Sequence, residues 1–145
     1  MDTLLFEKEK GSVDKYPILA TTYRLVEHMH TDAITRNLPG LAELMPEMLV
    51  EVSYELAGER NIRNGDRVRI CSEQGEISAV VCVTRRLKPF NNNGTPVHQV
   101  ALPWNFGYSN LAKGDSANSL SPKVADPNTM IPEFRAFLCN LERIS

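Results

Sequence analysis

Two alternating runs on either side of a tight turn, near the middle of the chain, constrain the fold more than any other stretch. After the turn Asn64-Gly65-Asp66, Val68 and Ile70 alternate with Arg67 and Arg69, which is the two-residue period of a half-buried strand. Glu73-Gln74-Gly75 makes a second turn. Ile77, Ala79, Val81 and Val83 then line one face of a longer strand whose other face carries Ser78, Val80, Cys82 and Thr84. The two runs are expected to pair as a hairpin.

The rest of the chain follows the same grammar. The β-formers Thr21, Thr22, Tyr23 and Val26 place a first strand over 18–26, Glu47 to Val52 alternate around Glu51, Val97 to Leu102 read as a strand, and Phe137, Cys139 and Leu141 alternate in a closing one. Helices are few. Leu41 to Met45 can form one helical turn before Pro46, and Ser53 is a helix N-cap with Glu55 in the first turn, weakened early by Gly58. Arg85 to Lys88 read as a solvated rim and Asn91 to Gly94 as a loop. The stretch from Pro103 to Pro132 shows no helix or strand pattern, yet Trp104, Phe106 and Tyr108 argue for an ordered binding element rather than disorder. Such a pattern predicts a mainly β protein, a closed barrel carrying one or two short helices.

With 145 residues the chain fits one domain, and a net charge of -2 leaves no electrostatic footprint for nucleic acid. Residues 1–16 are expected to form an N-terminal arm or tail, with the barrel over 17–145. No apolar run reaches the roughly 18 residues that cross a bilayer, and the N-terminus lacks the apolar region of a signal peptide. The expectations are therefore no membrane insertion and a cytoplasmic location for the chain as written. Cys71, Cys82 and Cys139 form no CxxC pair and are expected to be buried free thiols.

Chemistry-bearing residues concentrate in Thr22 to Thr31, where Arg24, His28 and His30 follow a strand end. A rigid strand end with polar side chains suits an anion. His28 and His30 would need His98 or Glu27 brought over to bind a metal, and no metal site is expected. No Gly-x-Ser-x-Gly elbow, Gly-x-Gly-x-x-Gly or P-loop pattern is present. Arg24 and Arg135 remain as candidate anion ligands, although Arg135 alone reads as a plain surface arginine.

Several segments in order carry a family resemblance: 22–28, Asn64 to Val68, Leu102-Pro103-Trp104-Asn105-Phe106-Gly107-Tyr108, 114–122, Asp126-Pro127-Asn128-Thr129 and Ile131 to Leu138. Together they resemble the C-terminal molybdopterin-guanine-dinucleotide-binding domain of formate dehydrogenase large subunits, over about Tyr16 to Glu142 and nearer the periplasmic or membrane-associated type. The resemblance implies a six-stranded double-psi β-barrel with short helices, the aspartate-decarboxylase-like barrel, closing over the cofactor. It further implies that Arg24, His28, Trp104, Gly107, Asn118, Phe134 and Arg135 meet the cofactor, with His30, Thr31, Asp126 and Asn128 as weaker members of the site. Asn105 stands where a histidine is expected, and Phe134-Arg135 replaces the commoner Tyr-Lys.

The implied cofactor is bis-molybdopterin guanine dinucleotide with molybdenum or tungsten, its metal held mainly by other domains. The implied partners are the remaining domains of the catalytic subunit. Nothing matching the family's metal-bound cysteine or selenocysteine, its catalytic His and Arg, or its iron–sulfur ligands is present. The chain alone is therefore expected to be non-catalytic, to hold little or no cofactor in isolation, and to be an expressed domain or a separately encoded fragment. An alternative is a double-psi protein-interaction module like the substrate-handling domains of some ATPases. A self-processing decarboxylase would need a Gly-Ser cleavage site, and Gly11-Ser12 lies in the tail.

Overall fold

A computed structural model describes residues 10–126 and 128–144. Among the described residues eight strands are present: β1 Ile18–Tyr23, β2 Leu49–Ser53, β3 Arg67–Cys71, β4 Glu76–Thr84, β5 Phe90–Asn92, β6 Thr95–Val97, β7 Gln99–Pro103 and β8 Ala136–Arg143. Six of them close a barrel in the order β1-β7-β2-β4-β3-β8, with β8 pairing back onto β1. The closed six-stranded barrel expected from the resemblance is therefore the fold observed.

The strands point their apolar faces as the alternation requires. Val68 and Ile70, Ile77, Ala79 and Val81, and Phe137, Cys139 and Leu141 are all buried, and they meet Ile18, Val50, Val52, Val100 and Leu102 in one core. Two short helices accompany them, α1 Pro39–Leu44 and α2 Tyr54–Glu59. Ser53 caps α2 as expected, its hydroxyl accepting from the Leu56 amide at 3.1 Å. Differences lie at strand ends. β1 stops at Tyr23 rather than Val26, because Tyr23 is opposite Pro103, the last residue of β7, and beyond it no ladder partner remains. The expected loop at Asn91 to Gly94 is instead a β5–β6 hairpin, turned by Asn93 (φ 50) and Gly94 (φ 91). Cys71 and Cys82 face outward and are half-buried, whereas only Cys139 is in the core, where burial pushes its thiol well up.

Strand direction decides which loops share an end of the barrel. β1 and β7 are parallel, β2 and β4 are parallel, and the other barrel pairs are antiparallel. Consequently β1, β3 and β7 finish, and β2, β4 and β8 begin, at the same end. Both long irregular segments, 24–48 and 104–135, span strands there, and so does the β3–β4 turn. We call it the upper rim. The lower end carries α2 and the β5–β6 hairpin.

Candidate functional site

All eleven residues singled out from the sequence lie on the two upper-rim segments. β1 and β8 bring the chain's two halves together there, with Thr21 opposite Ala136 and the Thr22 hydroxyl donating to the Phe134 carbonyl at 3.3 Å. Arg24 and Arg135 therefore flank neighbouring strand ends. Both are exposed, and among the described residues neither guanidinium has an ion-pair partner.

One cluster forms around Trp104. The Arg24 guanidinium lies 5.5 Å above its ring, the His30 ring meets it edge-on at 6.1 Å, and its amide donates to the Tyr23 carbonyl at 3.1 Å. Thr31 is exposed beside this cluster. A cleft of about 640 Å³ opens elsewhere on the rim, between the Gln74-Gly75 turn, Asn118, Ser119, Lys123 and Phe134. A Cβ on Gly75 would lie 2.9 Å from the Ser119 carbonyl oxygen, so glycine is needed where that loop closes on the turn. Neither arginine lines the cleft.

The remaining candidates sit differently. His28 is buried, its Nε2 3.2 Å from the Met45 carbonyl and its ring edge-on to Phe106. Gly107 packs against Arg36, and its carbonyl accepts from Arg36 Nη1 at 3.1 Å. Asp126 is occupied by its own turn: one oxygen accepts from the amides of Asn128 and Thr129 and from the Thr129 hydroxyl, which holds its carboxyl below the usual range. Among the described residues no group of three His, Cys, Asp or Glu side chains could hold a metal. No helix among them is long and apolar enough to cross a membrane.

Beneath the rim lies a polar cage built on Arg36 and Asp32, neither singled out from the sequence, together with Asn105, which was marked there only as replacing an expected histidine. Arg36 is buried and donates from Nη1 to the carbonyls of Gly107, Ser109 and Ala112 at 3.1, 2.7 and 3.2 Å, stapling 104–135 to 24–48. Asp32 is fully buried and accepts from Asn105 Nδ2 at 2.7 Å. No local pattern around residue 36 signals its role, because the carbonyls it serves lie more than seventy positions away. Burial pushes the Asp32 carboxyl up, against the pull of the Asn105 hydrogen bond and of His28, Arg36 and His30.

A raised acid holds its proton in the fold at a pH where the unfolded chain has lost it. Its contribution is therefore most favourable below the usual aspartate range and is lost as pH rises through the folded value. Asp32→Asn should remove that slope and be at least as stable as the parent at neutral pH. Thermal unfolding of both from pH about 3 to about 7 checks it, and a difference independent of pH would contradict it.

Comparison with known proteins places this geometry. The family model described as "Molydopterin dinucleotide binding domain" matches residues 18–138, from the start of β1 into β8 and across both rim segments. The chain belongs to the molybdopterin dinucleotide binding domain family. It is 46% identical over 138 residues to the formate dehydrogenase subunit alpha of Megalodesulfovibrio gigas, and 46% identical over 134 residues to the nitrate-inducible formate dehydrogenase major subunit of Escherichia coli. These alignments cover 94% and 92% of the chain but only 14% and 13% of the relatives, so the domain corresponds to a small part of a large subunit. In fold it resembles acetylene hydratase from Pelobacter acetylenicus, with a TM-score of 0.69 at 13% identity over 91% of this chain and 19% of that one.

Proposed function

We propose that the upper rim of this molybdopterin dinucleotide binding domain receives a molybdopterin guanine dinucleotide within a formate dehydrogenase large subunit, closing over the cofactor rather than carrying out the oxidation itself. One observation carries the proposal: two exposed guanidinium groups without an ion-pair partner among the described residues, one of them over Trp104, stand on adjoining strand ends, although they come from opposite ends of the sequence. The donor set fits the group. Arg24 and Arg135 would meet the diphosphate, Trp104 and His30 a planar ring, and Asn118, Thr31 and Phe134 the remaining polar and apolar edges. Asn128, exposed on the same segment, would act at the margin. His28, Gly107 and Asp126 would act by shaping the rim, since His28 Nε2, the Gly107 carbonyl and one Asp126 oxygen are engaged within the protein. When bound, the cofactor supplies the redox chemistry at its metal.

A second observation favours a protein partner on the same rim. Val26, Met29, Ile34, Leu44, Tyr108 and Leu111 are exposed on the two rim segments, an apolar surface suited to the remaining domains of the large subunit. Binding to the isolated domain would then be weak, with part of the pocket supplied by those domains. Calorimetry with molybdopterin guanine dinucleotide released from a molybdoenzyme tests the cofactor assignment. Arg24→Ala and Arg135→Ala should each weaken binding about ten- to a hundredfold, the range for losing one hydrogen bond between charged groups. Affinities equal to the parent would remove both residues from the site.

A further inference from the structure

We infer that Asp32 is a positioning residue for the rim: through Asn105 it fixes Trp104 against the chain reversal that carries His30. The inference rests on the cofactor assignment above for its purpose, but not for its geometry. Trp104 is tethered twice, at its own amide to Tyr23 and through the next residue, whose side-chain amide donates to Asp32 at 2.7 Å. The reversal is closed by hydrogen bonds from the Asp32 amide to the Met29 carbonyl and from the Met29 amide to the Thr35 hydroxyl. Deleting the Asp32 side chain therefore removes one of the two tethers on Trp104, while the backbone bonds of the reversal that carries His30 remain.

Several costs converge on this cage. His30 and Asp32 both adopt left-handed backbone, φ 53 and 64, a region that Asn, Asp and His enter more readily than other L side chains but less easily than glycine. The buried His28 Nδ1, Asp32 Oδ2, Arg36 Nε and Asn105 Oδ1 have no hydrogen-bond partner among the described residues. Glycine at 32 would relieve the backbone, and asparagine would remove the charge and offer a donor to the acceptors left over. A side-chain acceptor held there at such cost, one hydrogen bond away from the neighbour of the half-buried Trp104, is explained by its grip on Asn105.

Trp104 is the sole tryptophan, so its fluorescence reads the site directly. Asp32→Gly keeps the backbone conformation accessible and deletes the acceptor, whereas Asp32→Asn keeps an acceptor oxygen for Asn105. With the fold verified by circular dichroism, the glycine variant should show red-shifted Trp104 emission and faster acrylamide quenching. Its affinity for released cofactor should fall roughly fivefold, the loss expected when one side chain must be re-immobilised on binding. Asp32→Asn should match the parent in both readouts. Asn105→Ser, which removes the donor from the other side, should reproduce the glycine result and serves if that variant does not fold. Parent-like quenching and emission in the folded glycine or serine variant would overturn the inference. If Trp104 is displaced as described but the parent binds no cofactor, the cofactor assignment falls and the positioning of Trp104 stands.

Discussion

Arg36→Ala should lower the stability of the chain by about 2–3 kcal/mol, roughly 1 kcal/mol or more for each of the Ser109 and Ala112 carbonyls left without a donor, while the Gly107 carbonyl keeps the Gly114 amide. The three acceptors all lie in the 107–112 segment, and the contact to Ala112 is itself buried. Water can reach Ser109, which is exposed, so that loss is the smallest. Lysine would not rescue the variant fully, because an ammonium on a flexible stem is less pre-organised than the rigid guanidinium whose Nη1 is held among these carbonyls. Urea denaturation should show the midpoint falling with little change in slope. A loss within the scatter of surface substitutions would mean that the staple is incidental.

Gly114→Val should be comparably damaging, about 3 kcal/mol, for a steric reason. A Cβ at 114 would lie 2.6 Å from Met48 Cβ and 3.0 and 3.2 Å from Phe106, and both neighbours are buried. The nearest atom is a Cβ fixed to the backbone rather than a flexible tip, so the segment itself must move. Because the Gly114 amide donates to the Gly107 carbonyl at 3.1 Å, that movement would open the loop Arg36 holds. Gly58 is the control: nothing lies within 4 Å of its would-be Cβ in α2, and Gly58→Ala should stabilise by about 0.5–1 kcal/mol. Equal thermal shifts for the two variants would contradict the steric explanation.

What the sequence disclosed was periodicity. The inward faces of β3, β4 and β8 are those the alternation marked, because a two-residue period survives whatever partner a strand finds. Caps were legible for the same local reason, as Ser53 illustrates. The proposed site required the family resemblance, since Arg135 alone carries no signal, and only the antiparallel pairing of β1 with β8 sets the strand end that follows it against the one that precedes Arg24. The cage was hidden. Asp32 and Asn105 are 73 positions apart, and a left-handed backbone at His30 and Asp32 has no glycine to announce it.

The most direct test of cofactor binding at the upper rim is a fluorescence titration of Trp104 with released molybdopterin guanine dinucleotide, comparing the parent with the Arg24→Ala/Arg135→Ala double variant. The parent should show a saturable change that shifts to far higher concentration in the double variant. A tryptophan indifferent to the cofactor, or two superimposable curves, would contradict it.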